Sequence, residues 1–305
     1  MSLLESAPGG ACRLDMSVEE VDPGALLTPT LAEFSPYLLR LAGARTRQVM
    51  SAAMPAGSHP RFFAVLDLLA HSDALSQQDV ADRLGINPTV MVKLIDRLEE
   101  IDYVTRTRNP ADRRSYVLTL TATGRRTHKV MVPAVARGEE ALAAPLRPAE
   151  RDRLRDLLVR LLPDPGTAAA QPSNRRIGYL LVHVDMLLNR RADAVLGALG
   201  LGMRQFGALA TTAEIGPCTQ QELGLRLGIA EAAMTQLVDD LQGRGLVRRG
   251  RDRKDRRRYA LLLSADGRGT LGRAVGLMRG LEQELAAEIG GHGDKELRDL
   301  LAKLT

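Results

Sequence analysis

The chain repeats itself. Setting each residue against the one 143 positions later superposes, without a gap, SQQDVADRLGINPTVMVKLIDRLEEIDYVTRTRNPADRRSYVLTLTATGR from Ser76 on TQQELGLRLGIAEAAMTQLVDDLQGRGLVRRGRDRKDRRRYALLLSADGR from Thr219; 22 of 50 positions are identical. The matches are spread along the stretch, among them Leu84 with Leu227, Gly85 with Gly228, Leu98 with Leu241, Arg113 with Arg256 and Tyr116 with Tyr259. Spaced identity of this kind marks one structural unit present twice, not a shared low-complexity composition. The same offset pairs Phe63 with Phe206 and Arg47 with Arg190. A length of 305 residues, which alone suggests two domains, therefore becomes twice one domain.

Residues 163–174, PDPGTAAAQPSN, have the proline, glycine and small residues of a linker. Fully extended, such a dozen residues reach roughly 40 Å, enough to join two domains packed side by side. Residues 1–33, with Pro8-Gly9-Gly10 and Pro23-Gly24, read as irregular. The expected organisation is an irregular segment 1–33, a first domain 34–162, the linker 163–174 and a second domain 175–305.

Within copy one, Leu38, Leu41, Val49 and Met50 give an amphipathic helix over Tyr37 to Met54, and Phe62 to His71 a second, more buried one. Ser76 with Asp79 three residues later caps a short helix that stops at Gly85. Asn87 caps the next, with Pro88 at its first position, where a missing N–H costs nothing. Val90, Met91, Leu94, Ile95 and Leu98 continue at helical spacing, so two helices flank a Gly-Ile-Asn turn, a helix-turn-helix. The period then falls to two: residues 103–108 and 116–120 alternate around Asn109-Pro110-Ala111-Asp112-Arg113, a β-hairpin with a charged tip. Thr121 caps a long helix, and residues 148–162 form the last. Copy two repeats the order with helices over 175–199, 204–215, 219–227 and 230–242, a hairpin over 245–263, and helices over 265–289 and 294–304. A helix-turn-helix followed by a basic hairpin is a winged helix, so the fold is expected to be mainly α with small β-hairpin wings.

The formal net charge of +5 hides its placement: residues 244–258 carry nine Lys/Arg against Asp252 and Asp255. Both wing tips hold Asp-Arg-Arg, Asp112-Arg113-Arg114 and Asp255-Arg256-Arg257. Two guanidinium forks on a ribbon suit the narrow, strongly negative minor groove of DNA, and the aspartate can hold one arginine in register. Arg106, Arg108, Arg249, Arg251, Arg253 and Lys254 extend the same surface.

Other chemistry finds little support. His59, His71, His128, His183 and His292 are scattered, and no nucleotide-binding loop, hydrolase elbow or HExxH is present. The chain is read as no enzyme, with no cofactor and no metal. Cys12 and Cys218 form neither a disulfide framework nor a CxxC motif. Cys218 precedes a helix N-terminus, where a thiol pKa can fall, but reads more simply as a small buried hydrophobe. No apolar run is long enough to span a membrane. The first 34 residues carry six acids against Arg13, unlike a signal peptide, so a cytoplasmic protein is expected.

These residues resemble the MarR family of bacterial transcription regulators. The resemblance rests on the helix-turn-helix followed by Leu98-x5-Val104-x-Arg106, Asn109-Pro110-x-Asp112-Arg113-Arg114 and Leu118-x-Leu120-Thr121-x-x-Gly124. Copy two matches with Leu241-x3-Gly245-Leu246-Val247-x-Arg249, Asp252-x-x-Asp255-Arg256-Arg257 and Leu261-x-Leu263-Ser264-x-x-Gly267. It implies homodimers built through the first, fifth and sixth helices, so two copies in one chain resemble a fused dimer: two winged helix-turn-helix domains forming an intramolecular pseudo-dimer through a shared helical dimerisation region. Tethering makes pairing intramolecular, at an effective concentration on the order of millimolar. Gly272, Gly276 and Gly280, four apart, suggest a close helix contact, against the alternative of solvated glycines; Pro133, equivalent to Gly276, suggests a kink.

The recognition helices have diverged. Copy one offers Asn87, Thr89, Val90, Lys93 and Arg97, where Thr89 or Val90 suits a thymine methyl and Lys93 a guanine or phosphate. Copy two offers Ala232, Thr235 and Gln236 beside Glu231, which either accepts from a cytosine amine or repels phosphate. Copy one is thus expected to read bases and copy two to grip the backbone. The expected partner is a double-stranded DNA operator on the bacterial nucleoid; an interaction scaffold and a low-specificity nucleoid-type binder are the alternatives. The resemblance also implies a small-molecule effector in a cleft between dimerisation helices and winged domain, with Tyr37, Arg40, Phe62, Phe63 and His128 as candidate lining residues in copy one and Phe206 in copy two.

Overall fold

The computed structural model describes residues 27–72, 75–109, 116–163, 165, 175–251 and 259–305. Copy one contains α1 (Pro29–Ala32), α2 (Ser35–Ala53), α3 (Pro60–Ala70), α4 (Gln77–Leu84), α5 (Pro88–Glu100), β1 (Val104–Arg108), β2 (Tyr116–Leu120), α6 (Ala122–Ala143) and α7 (Pro148–Arg160). Copy two contains α8 (Ile177–Gly197), α9 (Met203–Ile215), α10 (Gln220–Leu227), α11 (Glu231–Gly243), β3 (Val247–Arg251), β4 (Tyr259–Leu263), α12 (Ala265–Ile289) and α13 (Gly293–Ala302).

The centre is helical and shared. α2 and α8, equivalent under the repeat, make the most extensive helix–helix contact, while α7 packs on α8, α13 on α2, and α7 on α13. Leu38, Leu39, Leu154, Leu157, Leu180, Leu181, Val184 and Leu300 lie in one buried core that draws on both copies. At roughly 25 cal/mol per Å² of apolar surface removed from water, such a seam is a major source of cohesion. Neither α2 nor α8 has a side-chain cap of its own. Each is instead capped by the other copy: Glu282 of α12 accepts from the Ser35 N–H at 2.7 Å, and Glu139 of α6 accepts from the Gly178 N–H at 3.1 Å. Burial pushes the carboxyl pKa of both glutamates upward, and the donated N–H bonds oppose that.

The copies are not docked alike. In copy one, Phe62, Phe63, Met91, Leu94, Ile95, Leu98 and Met131 form a separate winged-domain core. In copy two the winged-domain core is continuous with the central one, and Leu31, Phe34 and Tyr37 belong to it together with Phe206. Phe34 meets Phe206 edge-on at 5.6 Å between ring centroids. The irregular segment expected for 1–33 therefore ends earlier: α1 is a helical turn with Pro29 at its start, and Leu31 is fully buried because it and Phe34 supply an apolar anchor. Residues 1–26 lie outside the described residues, as does nearly all of 163–174.

The glycine stripe is also corrected. A Cβ on Gly272, Gly276 or Gly280 would meet nothing within 4 Å, so these glycines mark the open face of α12. The packed face is Ala274, Met278, Leu281, Leu285 and Ile289, which recur at helical spacing. α6 runs on through Pro133 as one helix.

Asp185, where α8 crosses α2, is buried, accepts from Asn189 Nδ2 at 2.6 Å, and has Arg47 at 3.7 Å. Burial pushes its carboxyl up to about 6, against the pull of Arg47 and Arg40. A carboxyl whose folded pKa is raised contributes stability that is complete below its ordinary 3.8 and lost as pH climbs through about 6. Asp185→Asn is expected to flatten the dependence of the urea midpoint on pH between these values; an unchanged profile would show that Asp185 does not titrate there.

Candidate nucleic-acid interface

Each recognition unit is assembled by local rules. Asp79 N–H donates to Ser76 Oγ at 3.1 Å while Ser76 N–H donates to Asp79 Oδ2 at 2.8 Å, a reciprocal cap on α4. Gly85 and Gly228 end α4 and α10 in the left-handed region, at φ of 61° and 62°, which favours glycine. Thr89 N–H donates to Asn87 Oδ1 at 2.9 Å to start α5, whereas α11 begins at Ala230 with no side-chain cap. In α5 the apolar residues Met91, Leu94, Ile95 and Leu98 face the core. Asn87, Thr89 and Lys93 are exposed, and Val90 and Arg97 are half-buried. Arg97 pairs with Glu100 at 2.9 Å. On α11, Ala232, Thr235 and Gln236 are exposed. Thr235 is already engaged: its hydroxyl donates to the Glu231 carbonyl at 3.0 Å and accepts from Gln220 at 2.7 Å.

The two hairpins have the same register, Val104 opposite Leu120 through Arg108 opposite Tyr116, and Val247 opposite Leu263 through Arg251 opposite Tyr259. Leu75 bridges to Leu118, and its equivalent Cys218 bridges to Leu261. Cys218 is thus a buried wall residue, and burial pushes its thiol up to about 11, the reverse of helix-terminus activation. The wing is locked to the next helix at Gly124 and Gly267, where a Cβ would lie 2.0 Å from the Tyr103 and Leu246 carbonyl oxygens.

Arg106 is placed differently from a free wing cation. Its guanidinium bonds Glu99, Asp96 at 2.7 Å and Gln77 at 2.9 Å, tying the wing base to α4 and α5. Among the described residues the equivalent Arg249 reaches Asp239, at 3.2 Å; copy two has Gln242 where copy one has Glu99, and Gln220, the equivalent of Gln77, bonds Thr235 instead. Arg108 and Arg248 are exposed on their strands. Asp112, Arg113, Arg114, Arg253, Lys254, Asp255, Arg256 and Arg257 lie outside the described residues, as does the side chain of Arg251.

The cleft candidates separate into two joints between winged domain and central helices. At the copy-one joint, Asp67 accepts from Arg176 at 2.6 Å and is bonded to His128 Nε2 at 2.9 Å. His71 lies 3.7 Å from Asp67. Phe63 stacks on His128 at 5.4 Å, and the Arg176 guanidinium sits 4.9 Å from the Phe63 ring centroid. Burial opposes ionisation of Asp67, yet the bonds from His128 and Arg176 outweigh it and hold the carboxyl at about 2. Phe62 is buried in the copy-one domain core. At the copy-two joint, Tyr37 and Phe206 are buried against each other at 6.1 Å, and the Tyr37 hydroxyl donates to the Met203 carbonyl at 2.5 Å. Arg40 is half-buried on α2. The six candidates therefore do not line one cleft. The sequence reading missed Asp67 and Arg176, whose roles depend on a contact 109 residues apart.

Two models of the MarR family match the chain, over residues 60–116 and 199–258. A putative transcriptional regulatory protein for the hcr operon of Thauera aromatica is 33% identical over 105 residues, covering 34% of this chain and 63% of the relative. An HTH-type transcriptional repressor of Mycobacterium tuberculosis is 31% identical over 128 residues, covering 42% of this chain and 92% of the relative. The chain belongs to the MarR family. Among solved structures, the MarR-like copies are similar to the transcriptional repressor CouR bound to a 23-mer DNA duplex, at 35% identity over 42% of this chain and 91% of that one, TM-score 0.39. They are also similar to the PcaV regulator of Streptomyces coelicolor in complex with its natural ligand, at 26% identity over 41% and 89%, TM-score 0.39. Among the described residues of this MarR-family chain, no helix is long and apolar enough to cross a membrane, and no group of His, Cys, Asp and Glu could hold a metal ion.

Removing Asp67 would leave Arg176 and His128 without their shared acceptor. Asp67→Ala is expected to cost about 2–4 kcal/mol of stability by chemical denaturation. A loss below about 0.5 kcal/mol would show that the cluster adds nothing to docking of the first winged domain.

Proposed function

We propose that the chain is a sequence-specific double-stranded-DNA-binding transcriptional repressor, acting as a single-chain pseudo-dimer on an asymmetric pseudo-palindrome and released by a small molecule. One observation carries this reading: a single polypeptide presents two equivalent helix-turn-helix units, each beside a basic hairpin, on one shared helical core. A relative covered over nine-tenths of its length bears the name of a transcriptional repressor, which supports the direction of control.

In this reading Asn87, Thr89, Val90, Lys93 and Arg97 face base edges in one half-site. Ala232, Thr235 and Gln236 face the other, where the Thr235 hydroxyl is held by its own helix and by Gln220, leaving Gln236 as the main polar reader. The arginines of both wing tips, with Arg108, Arg251, Arg253 and Lys254, grip phosphate or enter the minor groove. Arg106 and Arg249 act one step back, aligning each wing with its recognition helix. An effector acts at the copy-one joint, where an anionic group would compete with Asp67 for Arg176 and a ring would stack on Phe63. The copy-two joint is filled by Leu31 and Phe34 and has Ala210 at the position equivalent to Asp67. The protein works in the cytoplasm, on the nucleoid.

The test is a gel-shift titration of the full chain on its own upstream DNA and on random DNA at two salt concentrations. Specific binding of one protein chain per pair of half-sites supports the reading; a steep salt slope without specificity marks a nucleoid-type binder, and no binding marks a scaffold. Arg114→Ala with Arg257→Ala is expected to weaken binding and to reduce the salt slope by roughly one unit per lost phosphate contact. Selection of operators from a random pool is expected to return unequal half-sites, and a perfect palindrome would refute the division of labour between copies.

A further inference from the structure

Residues equivalent under the repeat can touch each other only where the pseudo-two-fold axis passes between them. Arg153 of α7 and Glu296 of α13 are such a pair, and Arg153 Nε donates to Glu296 Oε2 at 2.8 Å. A second place on the axis is the crossing of α2 and α8. There Asp185 lies against Gly43, the neighbour of its own equivalent Ala42: a Cβ on Gly43 would come within 2.9 Å of Asp185 Oδ2. Ala42 is fully buried, Asp185 is 7% exposed, and Arg47 of copy one stands 3.7 Å from the carboxylate.

In both places copy two supplies the acid. Copy one supplies a guanidinium at one, and at the other the room for a carboxylate with a guanidinium beside it. A homodimer cannot carry this arrangement, because its axis forces identical residues to meet. Pairing copy one with another copy one would set Arg153 against Arg153 and leave Arg47 without its carboxylate. Pairing copy two with copy two would press Asp185 towards Asp185 out of water, with Arg190 in the place of Arg47 as the cation beside them, and set Glu296 against Glu296. Like charges a few ångströms apart repel modestly at the half-exposed Arg153–Glu296 place and more strongly at the buried Asp185 place, and such repulsion against the wrong partner adds to the specificity given by attraction to the right one.

We infer that the two copies are exclusive partners, matched by an acid on copy two and a base or a carboxylate-sized space on copy one at the axis, so that winged units assemble only as one of each. This rests on the single-chain pseudo-dimer reading and adds to it the rule by which the halves choose each other.

Charge exchange in the full-length chain tests the rule. Arg153→Glu sets glutamate against glutamate, Glu296→Arg sets arginine against arginine, and the two together restore the pair with its direction reversed. At low salt each single exchange is expected to lower the thermal midpoint by roughly 2–4 °C, and the double exchange to recover most of that loss. At about 0.5 M salt the differences should shrink. The buried place gives a stronger version: Ala42→Asp brings two carboxylates together, and adding Asp185→Ala leaves one, within reach of Arg190, the equivalent of Arg47. Single exchanges that melt like the wild type at both places, or double exchanges as unstable as their singles combined, would overturn the inference. Light scattering on the same samples separates the two readings. A two-chain particle whose stability still recovers on exchange removes the single-chain reading and keeps the pairing rule; a one-chain particle without recovery does the opposite.

Discussion

Each of the two central helices is begun by a carboxylate from the other copy. The first N–H groups of any helix lack intrahelical acceptors, and a buried helix start without partners is costly. α2 and α8 meet that requirement with Glu282 and Glu139, so neither helix is complete until the copies are together. The apolar seam between them is non-directional, and these two caps give it a register. Both winged domains hang from that seam, so the spacing of the two recognition helices depends on it as well.

Much of each copy was legible because its signals are local. Ser76 with Asp79, Asn87 before Pro88, and Thr121 before Gly124 each sit within three residues of the group they cap, and the structure has all three bonds. The hairpins followed from a change of period and the duplication from a repeat that the sequence shows directly, whereas the pairing of the copies was implied only by the family resemblance. What stayed hidden acts at a distance. Arg106 reads as one more basic wing residue, since nothing in a linear reading says that Asp96 and Glu99 will fold back on it. Glu139 reads as an ordinary helix residue, although its equivalent Glu282 is also glutamate, which was a usable signal. The glycine stripe misled because small residues at fourfold spacing allow close packing without requiring it, while Ala274, Met278, Leu281 and Leu285 carried the real contact face.

Duplication inside one chain removes a constraint that a homodimer cannot escape. Every residue of a symmetric protomer must serve both sides of the axis, whereas here position 153 is basic and its equivalent 296 acidic. The same freedom appears at the joints. Phe63 and Phe206 are equivalent, yet one lies under the Arg176 guanidinium and the other against Phe34. The joint of copy one centres on a charged, hydrogen-bonded cluster, and that of copy two on apolar burial with the Tyr37–Met203 and Thr30–Glu214 hydrogen bonds beside it.

These two kinds of joint respond to different things. An ionic cluster centred on one carboxylate is directional and competes with any anion that reaches Arg176, so its strength depends on what else is in solution. The second joint is sealed chiefly by Leu31 and Phe34, with the Arg279–Glu33 pair exposed beside it, and its strength follows buried area. A signal arriving at the first joint would therefore move one recognition helix while the second keeps its place on the core. If both units lie on one duplex at a fixed spacing, as proposed, displacing one is enough to break the fit of the pair. In the proposed arrangement one responsive joint then governs a two-headed grip.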